Sequence, residues 1–144
     1  MRTQQIPPGG DLSDAFKVRH IVFVDEQGFA AEIEVDDRDP IAHHIVIYNK
    51  DNAPIATART FPEDAGSTNY IIGRVAVLRE MRSTGIGLLV MCETEKLAKG
   101  LGAKKITLGA QVHAMKFYEK CGYTEHGRRY LEEHCEHAHM CKEL

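Results

Sequence analysis

The chain has 144 residues, 43% hydrophobic and 27% charged, enough to bury one core, so a single domain spanning 1–144 is expected. Its net charge of −3 offers no general basic surface. That excludes nucleic-acid binding from the expected functions and is compatible with a cationic or amine substrate. No apolar run approaches the length of a membrane span, and Met1–Gly10 lacks the apolar centre of a signal peptide. Cys92, Cys121, Cys135 and Cys141 show no disulfide-framework spacing, so reduced thiols and a cytoplasmic location are expected.

In chain order, Pro7-Pro8-Gly9-Gly10 reads as a turn or linker. A helix is predicted from Ser13 to about Val24, with Asp11 or Ser13 as cap and Leu12, Ala15 and Phe16 opening its apolar face. Gly28 stops it. Residues 29–40 carry Glu32, Glu34, Asp36, Asp37 and Asp39 and read as a solvated acidic loop. Ile41–Tyr48 and Pro54–Phe61 read as a hairpin across the turn-forming Asn49-Lys50-Asp51-Asn52. After a loop over 62–67 come a strand over 69–78 and a helix over 85–99, ended by Gly100 and Gly102. Lys104–Gln111 reads as a strand with Ile106, Leu108 and Ala110 on one face. His113–Cys121 reads as a short helix closed by Gly122, and Tyr123–Leu144 as a final pair of strands. The sum is a mixed α/β domain.

The segment Arg82-Ser83-Thr84-Gly85-Ile86-Gly87 lies between a predicted strand and a predicted helix. The first helical N–H groups have no partner within the helix, and the helix dipole favours an anion there. Gly85 and Gly87 let a phosphate approach the backbone. A P-loop would need Lys and Ser/Thr after the last glycine, where Leu88 and Leu89 stand; a dinucleotide fingerprint would need a third glycine. R-x-x-G-x-G in this setting resembles the acyl-CoA pyrophosphate loop of the GNAT superfamily of N-acetyltransferases. Ala114-Met115-Lys116-Phe117-Tyr118-Glu119-Lys120-Cys121-Gly122-Tyr123 resembles the last block of the same superfamily. The two blocks stand in the expected order, and the likeness extends over about residues 12–142. Val18–Gln27, His43-His44-Ile45-Val46, Gly109–Ala114 and His137–Met140 resemble the ElaA-like branch, although Glu136 stands where that branch is expected to have proline.

The resemblance implies a central, mostly antiparallel sheet flanked by helices, acetyl-CoA as cosubstrate, and a primary amine of a small molecule as acceptor. It implies CoA contacts from Val75, Ala76, Val77, Arg82, Ser83, Thr84, Gly85, Ile86, Gly87, Gln111, Phe117 and Tyr118, with the Val77 N–H on the thioester carbonyl. It also allows a homodimer. The chemistry has separate requirements. An alkylamine with a pKa of ~10.4 arrives protonated and needs a base, while the departing thiolate, with a pKa of about 8.5, can take a proton from a phenol. Tyr118 is the candidate acid. Glu26 and His137 are the leading candidate bases, with Glu34, Asp36, His113 and a water relay as other routes. Arg19 and Arg74 are candidates for binding an acceptor carboxylate or for bracing the loop. Direct transfer is expected, with an acyl-Cys121 path as the lesser route. The other class of function is an acyl-CoA-binding sensor or interaction module.

The tail His134-Cys135-Glu136-His137-Ala138-His139-Met140-Cys141 invites a zinc reading. On one strand, Cys135, His137, His139 and Cys141 share a face but rise ~6.6 Å per pair, whereas ligands of one zinc lie about 2.0–2.3 Å from it. No metal is expected.

Overall fold

The computed structural model describes residues 1–144. Eight strands form one sheet, with the β-branched runs at its centre: β1 (Arg2–Ile6), β2 (His43–Tyr48), β3 (Pro54–Pro62), β4 (Asn69–Val77), β5 (Lys105–Gln111), β6 (Thr124–Glu125), β7 (Tyr130–Glu132) and β8 (Cys135–Glu143), of which β2 to β4 carry most of the β-branched residues. The order is β1-β2-β3-β4-β5-β8-β6, with β7 also on β8. Every pairing is antiparallel except β4 with β5. The expected mixed sheet flanked by helices is therefore present.

Helix α3 (Ile86–Gly100) covers one face of the sheet. Its Ile86 and Val90 meet Ile45 and Ile47 of β2, and its Met91 and Ala98 meet Ile72, Ile106 and Leu108. Burial of each large side chain there contributes about 1.5–3 kcal/mol. The helix ends as its glycines predict: Gly102 has φ +109°, and Ala103 N–H donates to Ala98 O. Helix α1 (Ser13–Arg19) covers the other face through Ala15 and Val18. It runs on as a π-helical turn, His20–Glu26, rather than ending near Val24. Asp11 Oδ1 accepts the Ser13 N–H at 2.9 Å, so Asp11 serves the helix start.

Three elements differ from expectation. Residues 2–6 form β1, an edge strand on β2. Residues 29–40 are not a solvated loop: they contain α2 (Ala31–Glu34), and Glu34 and Asp39 are buried. The C-terminal segment forms three strands, β6 and β7 both pairing with β8. No helix is long and apolar enough to cross a membrane.

Candidate active site

Strands β4 and β5 touch only at their beginnings. Asn69, Tyr70 and Ile71 pair with Lys105, Ile106 and Thr107, and the strands then part. β5 stays paired to β8 as far as Gln111 opposite His137, and β4 stays on β3 as far as Val77 opposite Ala56. The sheet thus splits open along one seam. A β-bulge deepens the split: Arg59 pairs with Gly73 and Thr57 with Ala76, so two residues of β4 face one of β3, and Arg74 takes φ +49°. A cavity of about 1030 Å³ occupies the split and is lined by residues from both faces of the sheet.

The glycine loop closes one end. Ser83 has φ +63° and Gly85, at the start of α3, has φ +89°. Left-handed residues at this point turn successive N–H groups toward a common anion. At Gly87 a Cβ would lie 3.1 Å from the Phe117 ring, so glycine is what lets α3 and α4 (Met115–Lys120) approach here. Arg82 crosses the mouth of the split, donating from Nε to Val77 O at 3.0 Å and from its two terminal nitrogens to Glu26 at 2.6 and 2.8 Å. The Arg82 hydrogen bonds hold the Glu26 carboxyl below the usual carboxylate range.

Tyr118 enters from α4 on the α3 face, edge-on to Phe117 at 5.1 Å and to Tyr123 at 6.1 Å. It is 8% exposed, and burial pushes its phenol well above the usual range without any hydrogen-bond partner. Burial and the nearby Glu95 push the Cys121 thiol up to about 11.

The α1 face of the split carries another set of groups. His137 stacks on Tyr130 at 5.4 Å; its Nδ1 lies 3.0 Å from Cys135 O, and its Nε2 lies 3.4 Å from the Glu132 carboxylate. A carbonyl only accepts, so Nδ1 carries the proton and Nε2 faces Glu132. Tyr130 lies over β5 at Gly109, where a Cβ would fall 2.1 Å from the Tyr130 hydroxyl. Gln111 and Gln27 exchange amide hydrogen bonds of 2.8 and 3.2 Å, tying the end of the π-helical turn to the end of β5. Phe23, Phe29, Ile33 and Phe61 complete this side.

Beneath it, six charges close a ring. Arg19 meets Glu34 at 2.8 Å, Glu34 meets Arg74 at 2.9 Å, and Arg74 meets Asp36 at 3.3 Å. Asp36 meets Arg59 at 2.6 Å, Arg59 meets Asp39 at 2.9 Å, and Asp39 returns to Arg19 at 2.7 Å. Arg19, Glu34, Asp39 and Arg59 are buried. Arg74 also donates to Glu34 O at 3.0 Å. Arg19 and Arg74 thus brace α2 and the segment after it.

The split gathers most of the residues named from sequence. Val75, Ala76, Val77, Arg82, Ser83, Gly85, Gly87, Gln111, Phe117 and Tyr118 line it, with Glu26, Glu34, His113 and His137. Thr84 turns its hydroxyl to Met81 O, and Ile86 is buried in the α3 core. Asp36 belongs to the ring. No group of three or more His, Cys, Asp or Glu side chains could hold a metal ion. Gln27, Tyr130 and Glu132 also line the split and are not among the site candidates named from sequence. The aromatic Tyr130, seven residues before His137 and paired with it across β7 and β8, is the one local signal of their place.

The family description that matches residues 14–144 is the acetyltransferase (GNAT) domain. An uncharacterized N-acetyltransferase of Bacillus subtilis, YjcF, is 36% identical over 133 residues, 92% of each chain. Protein ElaA of Escherichia coli is 31% identical over 130 residues, 89% of this chain and 84% of its own. The crystal structure of Escherichia coli ElaA overlays with a TM-score of 0.85 at 26% identity, covering 99% of both chains. The chain belongs to the GNAT acetyltransferase family and is an acyl-CoA-dependent acyltransferase.

Proposed function

We propose that the protein transfers an acetyl group from acetyl-CoA to a primary amine of a small molecule by direct attack in a ternary complex. One observation carries this reading: a single cavity joins the left-handed Ser83–Gly85 loop and an unpartnered phenol on one face to a histidine–carboxylate pair on the other. Acetyl-CoA supplies the activated thioester, and the N-acetyltransferase name of YjcF supports acetyl as the group moved.

The residues divide the remaining work. The N–H groups of 83–87 and the Arg82 guanidinium hold the pyrophosphate. Val75, Ala76 and Val77 border the pantetheine arm. Leu78 N–H donates across to Ile55 O in β3, so Val77, one residue earlier, turns its backbone groups toward the split. Its N–H is the donor for the thioester oxygen as charge develops there. Tyr118, kept protonated by burial, donates its O–H to the departing sulfur; desolvation raises the proton affinity of that sulfur as well.

For the base we assign His137. With Nδ1 donating to Cys135 O, the Nε2 lone pair takes the amine proton, and Glu132 steadies the resulting imidazolium. Glu26 suits the role poorly, since both its oxygens face Arg82 and its carboxyl is held low. Cys121, with its thiol at about 11, is little ionised and suits an acyl carrier poorly.

The test is a panel of primary amines incubated with the protein and acetyl-CoA, with CoA release and acetylated product measured together. Matched release and acetylation support the reading. Binding of acetyl-CoA without release from any amine would replace it with a sensor or interaction module.

A further inference from the structure

Cations at the α1 face of the split have no charge to spare. Each arginine of the ring touches two carboxylates within 3.3 Å, and each carboxylate touches two arginines. The ring is neutral. Arg59 Nε has no partner and is fully buried. An acceptor carrying a carboxylate or phosphate could pair with Arg59 or Arg74 only by competing with Glu34, Asp36 or Asp39, each already shared between two arginines; Glu34 and Asp39 are buried, and displacing either would leave a buried carboxylate short of a partner. The other cations on the cavity wall, Arg82 and Lys120, stand at the glycine loop and on α4, at the CoA end.

The free charge on the α1 face is negative. Glu132 has only His137 beside it, and Glu133 accepts only the Ala30 N–H, at 3.3 Å. The wall is otherwise apolar and aromatic: Phe23 and Phe29 meet edge-to-face at 6.4 Å, and Ile33, Phe61 and Tyr130 complete it. The Tyr130 phenol is pushed up by burial and has no hydrogen-bond partner.

From this complementarity we infer that the acceptor is a primary amine on an aromatic body that bears no anionic group. The inference rests on the N-acetyltransferase reading above and names its substrate class. Glu132 attracts the ammonium, His137 lies beside it, Phe23 and Phe29 contact the ring, and Tyr130 offers a hydrogen bond to a ring substituent.

The test is kcat/KM for matched pairs: tyramine against tyrosine, and phenethylamine against phenylalanine, with spermidine and glucosamine-6-phosphate as polar comparators. Each amine lacking the carboxylate is expected to exceed its amino acid by at least about tenfold, and both polar comparators as well. In Asp36→Asn, which leaves Arg59 and Arg74 with unbalanced charge, the tyramine–tyrosine gap should narrow. Tyrosine or glucosamine-6-phosphate matching tyramine would overturn the inference while leaving amine acetylation standing. An unchanged gap in a folded Asp36→Asn variant would overturn the ring as its cause. Acetylation of no amine in the panel, with acetyl-CoA bound, would overturn the underlying reading itself.

Discussion

The Glu26 carboxylate grips Arg82 with both oxygens, at 2.6 and 2.8 Å, and so ties the end of the π-helical turn to the first residue of the glycine loop. In the proposed reading, the pyrophosphate shares or takes that guanidinium. Glu26→Gln removes the competing charge, and an exposed pair of this kind is modest in strength. The KM for acetyl-CoA should fall by about two- to fivefold with kcat nearly unchanged. Steady-state kinetics with acetyl-CoA varied checks this. A fall in kcat of about a hundredfold would return the role of base to Glu26.

Tyr118→Phe keeps the ring packing against Phe117 and Tyr123 and removes one oxygen. Turnover should drop by about a hundredfold while acetyl-CoA affinity, measured by calorimetry, changes little. Turnover equal to that of the parent protein would remove Tyr118 from the mechanism.

Gly87 and Gly85 are needed for different reasons, so their variants should differ. Gly87→Val drives a side chain into the Phe117 ring 3.1 Å away and should abolish CoA binding in a protein that still melts cooperatively. Gly85 has open space for a Cβ, but its φ of +89° disfavours one. Gly85→Ala should weaken binding through loop strain of about 1–2 kcal/mol, read as roughly a five- to thirtyfold loss of affinity.

Gly109→Ala places a methyl group where the Tyr130 hydroxyl lies. Tyr130 must lift off β5, which changes the α1 face of the cavity and leaves the glycine loop untouched. The KM for the amine should rise with that for acetyl-CoA unchanged. A rise in both would show that Tyr130 does not belong to the acceptor side alone.

The charge ring predicts sensitivity to acid. Burial acting alone would raise the Asp39 and Asp36 carboxyls, but the hydrogen bonds from Arg19 to Asp39 and from Arg59 to Asp36 outweigh it and hold both below the ordinary value of 3.8. A carboxyl lowered in the folded state stabilises fully above its unfolded pKa, and that stability is lost as pH falls through the folded value. Thermal midpoints should therefore fall as the pH drops below about 4, and Asp39→Asn should flatten that part of the curve. At neutral pH the same variant leaves Arg19 and Arg59 short of a partner and should cost about 3–5 kcal/mol in denaturant unfolding.

What the sequence revealed follows from the range of the forces involved. β2 to β5, α3 and the glycine loop announce themselves through local pattern: β-branched runs, an amphipathic stretch, glycines at helix ends. Arg2–Ile6 does not, because four of its five residues are exposed and only pairing with β2 makes it a strand. Glu34 and Asp39 read as solvated charges because the arginines that bury them come from α1, β3 and β4, far away along the chain. Tyr118 was legible as part of a block of neighbours. Tyr130 and Glu132 were not, since their place beside His137 depends on how β7 folds back on β8.

The closed ring also separates two kinds of change open to this protein over evolutionary time. Its six members hold one another, and replacing any one of them leaves two neighbours unmatched, so they are expected to persist or to change together. Phe23, Phe29 and Ile33 lie outside that circuit. Descendants of this chain could exchange them one at a time, and so drift toward new acceptors, on a floor that stays fixed beneath the changes.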